Sequence, residues 1–327
     1  MFLVSLLILP GALSISAELD SAFVSKLDAQ VLKHLKVLSS DQFSGRKFAS
    51  HGSNQAQLYL INTLKTLNVP AFKDKYRHPF IKNGLFQDHQ GTNIIAFIPG
   101  TKHAQEYIVL SAHYDHLGAK RGKVFNGADD NASGTAALLH YAKVLKQNPL
   151  KYSVILLFTD GEEIDLLGAK AFISQQKTLL PHFKLNINLD MIAGSKKNKR
   201  LHFISRDIDK LLNEENIEAF NLLQSQLSSS AARLTAGFKN FRGAGSSIKR
   251  TNWRMASDHG IFSRAGIPFI YFGVGTHKNY HTVNDDFENV NQALFLASID
   301  TIFEQIVYLD NAMSIDTHNI PADVKSN

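Results

Sequence analysis

Histidines and carboxylates recur in this chain wherever an apolar run ends. "IVLSAHYDH" closes on His113, Asp115 and His116, "ILLFTDGEE" on Asp160, Glu162 and Glu163, and "LNINLDM" on Asp190. Two polar loops add to the set: "NGADDNASG" carries Asp129 and Asp130, and "KNYHTVNDD" carries Tyr280, His281 and Asp285. Taken singly, each has an ordinary explanation. A lone H-x-D is a surface pair, "ADDNASG" is a helix cap, and Glu162–Glu163 is a first-turn acidic pair favoured by a helix dipole. Taken together they crowd carboxylates that would repel and raise one another's pKa unless a cation compensates them. His113, Asp129, Glu163, Asp190 and His281 supply two imidazoles and three carboxylates. That is enough for two ions sharing one carboxylate at a separation of about 3.5–4 Å. The chain has no cysteine, so thiolate sites, disulfides and cysteine nucleophiles are excluded. Imidazole with carboxylate suits zinc, with Mn2+ or Co2+ as less specific substitutes. The adjacency of Glu162 and Glu163 is itself informative, because neighbouring side chains do not share a face of a strand or helix.

The elements that must carry these groups are strands and helices in alternation. Residues 92–100, 106–115, 152–163, 183–192, 201–206 and 267–275 read as strands, continuous in hydrophobicity and so buried on both faces. Residues 54–68, 133–148, 167–176 and 287–312 read as helices, the third-named strand–helix junction lying at the paired glutamates. Asn131 and Ser133 precede the second helix as capping residues. The expected fold is α/β: a three-layer sandwich with a central, mostly parallel (mixed) sheet and helices on both faces. Sites in such sheets form outside the carboxyl ends of the strands, which is where the acids and histidines fall. Residues 195–256 read as a variable insertion, and 207–256 within it lack clear strands and read as helix and loop.

The 327 residues are 44% hydrophobic, ample for a large core. The run Phe2–Leu9 is too short to span a bilayer and is followed by small residues, so 1–17 reads as a secretory signal peptide and the mature chain, 18–327, as a secreted or periplasmic single domain. No later stretch predicts membrane insertion. The formal charge is +6, and its one dense basic run, "KKNKR" at 196–200, has no interleaved aromatics and reads as a solvated loop rather than a nucleic-acid surface. "ASDHG" at 256–260 places Ser, Asp and His in succession, but adjacent side chains diverge and there is no G-x-S-x-G elbow, so no nucleophilic triad is expected.

The order H-x-D, A-D-D-N-A-S-G, E-E, L-D-M, H-T-x-x-D resembles the zinc aminopeptidases of the M28 family, in their bacterial secreted form, over about Tyr107 to Asp286. "FSGRKFASHGSNQAQLYL" (43–60) is also similar to the family's N-terminal segment. The resemblance implies two Zn2+ bridged by Asp129, one completed by His113 and Asp190 and the other by Glu163 and His281. It implies Glu162 as general base on a metal-bridging water, Asp115 behind His113 to fix its tautomer, and Tyr280 as oxyanion donor. A cis peptide is expected at Asp129–Asp130, with Asp285 supporting its own loop and Asp258 a polar neighbour in the site wall. The implied reaction is hydrolysis of the N-terminal peptide bond of substrates with a free N-terminus. The alternatives are a glutaminyl cyclase-like zinc acyltransferase and a carboxypeptidase or dipeptidase on the same metal core.

Overall fold

A computed structural model describes residues 21–238 and 251–313. The leader segment expected over 1–17 lies outside these residues. Seven α-helices occur among them: α1 (Ser21–Leu38), α2 (His51–Thr66), α3 (Gly134–Gln147), α4 (Leu167–Gln175), α5 (Glu214–Leu227), α6 (His259–Arg264) and α7 (Gln292–Ala312). The strands are β1 (Arg77–Lys82), β2 (His89–Ile98), β3 (His103–His113), β4 (Gly118–Lys120), β5 (Lys123–Phe125), β6 (Tyr152–Thr159), β7 (Phe183–Leu189), β8 (His202–Arg206), β9 (Thr235–Ala236) and β10 (Phe269–Gly273). Eight of them form one sheet in the order β1-β2-β6-β3-β7-β10-β8-β9, and β4 and β5 pair separately.

The sheet is parallel at its centre and mostly antiparallel outside it, the short edge strand β9 being parallel to β8. β6, β3, β7 and β10 run in the same direction, whereas β2 opposes β6, β1 opposes β2 and β8 opposes β10. Burial on both faces explains why the central strands read as unbroken apolar runs. Side-chain alternation divides them between two cores. Ile108, Leu110 and Ala112 of β3 pack with α1, α2, α3 and α7, and Val109 packs with Phe172 of α4 and Phe262 of α6. This is the expected three-layer α/β sandwich, and all six predicted strands lie in its sheet. Phe262, Phe269 and Phe272 are core residues.

Local differences from the sequence reading have physical causes. β1, "RHPFIK", contains Pro79 and is an edge strand, where a missing donor is tolerated. At the start of α3 the cap is Asn131, whose Oδ1 accepts the Gly134 N–H at 2.9 Å, while the Ser133 hydroxyl turns back to donate to the Asp129 carbonyl at 2.7 Å. The segment after β8 holds α5, capped by Asn213, and the short β9. The 196–200 run is a largely exposed loop. Among the described residues no helix is long and apolar enough to cross a membrane.

One buried cation ties this frame to the site. Between α1 and α2 the chain passes through Ser44, Gly45 and Arg46, all at positive φ. A Cβ on Gly45 would lie 2.3 Å from the Phe125 carbonyl oxygen, so the close approach requires glycine. The turn sends Arg46 inward, where it is fully buried. Its guanidinium donates to the carbonyls of Leu38 (2.6 Å), Tyr114 (2.7 Å), Asn126 (2.6 Å) and Gly127 (2.9 Å). Burial lowers its pKa to about 10, opposed by Asp285, Asp130, Asp115 and Glu163, so it is charged at neutral pH. The fork thereby joins the end of α1 to both ends of the loop linking β3 to α3. Arg46→Met should cost at least about 3 kcal/mol in urea unfolding, because it strands several buried carbonyls. Arg46→Lys should recover only part of that, lacking the planar fork.

Candidate metal centre

The site is built from chain ends that leave the sheet on the same side. β3 delivers His113, Asp115 and His116; β6 passes through Gly161 (φ 71) into a turn holding Glu162 and Glu163; β7 delivers Asp190. The turn Ala128–Ser133 before α3 and the loop after β10, with His281 at φ 56, complete it. Two donor groups stand out among the described residues: His113 with Glu162 and Asp190, and His116 with Asp130, Glu163 and His281.

Asp130 lies between them. Its Oδ1 is 3.4 Å from His113 Nε2, and its Oδ2 is 3.1 Å from His281 Nε2. His113 Nε2 also lies 3.3 Å from Asp190 Oδ1 and 3.9 Å from Glu162 Oε2. His281 Nε2 is 3.1 Å from Glu163 Oε2. Asp130 Oδ2, Glu163 Oε1 and His281 Nε2 are buried and make no hydrogen bond of acceptable geometry. Within each group, one potential ligand atom from every residue lies within 4.8 Å of the others. Separations of 3.1–3.4 Å match the roughly 3.3 Å expected between tetrahedral donors about 2.0–2.1 Å from zinc. The donor chemistry, its burial and its unmet valences therefore fit a divalent ion in each group.

The electrostatics follow from crowding. Burial, opposed by His113 and reinforced by Asp190 and Asp258, raises the Glu162 pKa well above the usual carboxylate range. Burial acts the same way on Glu163, but the imidazoles of His116 and His281, 2.7 and 3.1 Å away, outweigh it and hold that carboxyl below its ordinary value. Adjacent in sequence, the two glutamates thus face opposite environments. Burial disfavours the charged form of His281, yet Asp130 and Glu163 raise its pKa to about 10.

Two expectations are corrected. Asp129, expected as the bridging carboxylate, faces away from both donor groups. Its Oδ1 accepts the N–H groups of Ala193 and Gly194, each at 2.8 Å, and its Oδ2 lies 2.8 Å from His277 Nε2. Asp130 takes the central position because successive side chains of the turn diverge. The cis peptide correspondingly falls at Asp130–Asn131, one residue beyond the expected bond. Asp285 reaches across to the same turn: its carboxylate accepts the N–H groups of Asp129 (2.9 Å) and Asp130 (3.0 Å).

The other sequence-predicted residues surround the centre. Asp115 is fully buried, with Oδ1 3.7 Å from His113 Nδ1 and accepting the Glu162 N–H at 3.1 Å. His113 Nδ1 is closer to the Asp115 backbone carbonyl, at 3.1 Å. Tyr280 stacks on His281 with ring centroids 3.8 Å apart. Burial and the neighbouring carboxylates raise its hydroxyl pKa, keeping it protonated. Asp160 is drawn off to the Thr92 N–H. "ASDHG" disperses as expected: Ser257 accepts from Asn188, Asp258 from Thr159, and His259 Nε2 meets the Trp253 carbonyl. His277, Asp129's partner, went unpredicted, and only its place in the same loop as His281 could have marked it. Beside Glu163 and His116 opens a cavity of about 380 Å³, lined also by Lys47, Phe48, Lys82 and Ile164.

The profile of Peptidase family M28 matches residues 93–306, which span the sheet from β2 onward and every donor above. The chain belongs to peptidase family M28. Aminopeptidase YwaD of Bacillus subtilis (strain 168) is 26% identical to this M28 member over 223 residues, covering 65% of the chain but 43% of YwaD, so the match spans less than half of that relative. BSAP, a zinc aminopeptidase from Bacillus subtilis, superimposes with a TM-score of 0.63 at 15% identity, over 85% of this chain and 94% of that one. The glutaminyl cyclase of Fimbriiglobus ruber gives 0.65 at 18% identity, over 86% and 95%. At such identities the two structures establish a shared fold.

The geometry predicts that Asp130→Asn sharply lowers zinc content after dialysis, measured by elemental analysis. Asp129→Asn should instead retain zinc and lose about 1–3 kcal/mol of unfolding free energy through its weakened amide and imidazole contacts.

Proposed function

We propose that this M28 peptidase is a two-zinc aminopeptidase that hydrolyses the N-terminal peptide bond of peptides. The observation that carries the reading is that one carboxylate, Asp130, reaches both sides, 3.4 Å from His113 Nε2 and 3.1 Å from His281 Nε2, which leaves Glu162 of the first donor group, 3.9 Å from His113, over for the reaction. His113, Asp190 and Asp130 would hold one zinc, and Glu163, His281 and Asp130 the other. Zinc, when bound, supplies Lewis acidity to the scissile carbonyl and lowers the pKa of water towards neutrality.

The chain's own groups account for the remaining steps. Glu162, whose environment favours proton uptake, accepts the proton of the attacking water and passes it to the leaving amine. Asp115 is a positioning residue: it receives the Glu162 backbone N–H at 3.1 Å and lies behind His113. The protonated Tyr280 hydroxyl is the donor for the developing oxyanion. The carboxylates of the site give it a negative field that favours a substrate's ammonium group, which is the basis for attack at the N-terminus.

The glutaminyl cyclase-like alternative uses a single ion, and the His113–Asp190 pair beyond that requirement favours hydrolysis. The apolar run and small residues at the N-terminus support an enzyme acting outside the cytoplasm. Mn2+ and Co2+ are expected to replace zinc, since the donors contain no sulfur.

Glu162→Gln should keep its metal and lose roughly 10²–10⁴-fold in kcat, whereas Glu163→Gln should lose metal as well. Elemental analysis alongside single-substrate kinetics separates the two. Aminoacyl amides should be cleaved and their N-acetylated counterparts should not; equal cleavage of both would contradict N-terminal specificity and favour an endopeptidase or carboxypeptidase.

A further inference from the structure

His116 has no role in the ligand sets above, yet its surroundings are those of a ligand. The side chain is buried, 1% exposed, and neither ring nitrogen has a hydrogen-bond partner of acceptable geometry. Nδ1 lies 2.7 Å from Glu163 Oε1 and 3.7 Å from Asp130 Oδ2. The ring meets that of His281 edge-on with centroids 5.7 Å apart. One donor atom from each of His116, Asp130, Glu163 and His281 lies within 4.8 Å of the others.

The backbone fixes the ring in this position. Gly127, at φ +55, lies against it: a Cβ there would sit 2.5 Å from the imidazole Cγ. Arg46 grips the carbonyls of Tyr114 and Gly127, and its own carbonyl accepts the His116 N–H at 3.4 Å. A buried polar atom without a partner is costly, and coordination through Nδ1 would meet the need of that nitrogen.

Resting on the two-zinc reading, we infer that His116 is a fourth protein donor to the ion held by Asp130, Glu163 and His281. The centre is then asymmetric. One half has two imidazoles and two carboxylates; the other has one imidazole, His113, with the carboxylates Asp130 and Asp190. The competing arrangement is a His116 Nδ1–H that donates to Glu163 and only orients it.

The two arrangements differ in the number of coordinated imidazoles. Metal-free full-length protein is loaded with two equivalents of Co2+, and the paramagnetically shifted, exchangeable ring N–H resonances are counted by proton NMR. The inference expects three in the wild type, from His113, His281 and His116, and two in His116→Gln. Two resonances in a wild type that has bound two Co2+ would overturn this inference and leave the two-ion reading standing. A wild type that binds no more than one Co2+ would overturn the two-ion reading itself, and with it the inference. The wild-type count decides the matter even if the variant fails to fold.

Discussion

The structure is organised around a charge problem. Asp115, Asp130, Glu162, Glu163 and Asp190 converge with three imidazoles at one end of the sheet, largely out of water. Like charges in such a space raise one another's pKa and destabilise the fold that holds them together. Neutralisation by imidazolium is partial, because five carboxylates outnumber the three imidazoles, even though the carboxylates raise the pKa of His113 and His281. Divalent cations at the two donor groups would answer the whole cluster at once. The buried arginine, the Asp285 clamp and the amide pair on Asp129 all serve the backbone that presents these side chains.

That backbone extracts two uses from each pair of adjacent acids. In the Asp129–Asp130 turn, one carboxylate is spent on main-chain amides of the loop after β7 and the other is presented to the imidazoles. In the turn after β6, Glu163 is held by histidines while Glu162 sits beside His113 in a setting that favours its protonated form. The proposed metal ligand and the proposed proton carrier would need such opposite environments. Divergence of consecutive side chains provides them within a single turn.

Much of this was legible in the residues. The central strands announced themselves because burial on both faces makes them continuously apolar, and the positions where those runs stop located the site. The margins of the fold were less visible: β1 is an edge strand with proline, and the segment around α5 is only weakly patterned. The carboxylate between the two donor groups was misplaced by one residue because Asp129 and Asp130 are chemically identical and only the path of the turn distinguishes them. Arg46, His277 and Asp285 act on backbone or side chains far away in sequence, so no local spacing exposes their targets. The family match extends over the donors but says nothing of how a buried arginine holds their loop.

The central claim is that Asp130 joins two ion sites, one towards His113 and Asp190 and the other towards Glu163 and His281. Diffraction from zinc-loaded crystals, recorded above and below the zinc absorption edge, measures this directly. The account predicts two anomalous peaks about 3.5–4 Å apart, both in contact with the Asp130 carboxylate. A single peak, or peaks seated on Asp129, would contradict it.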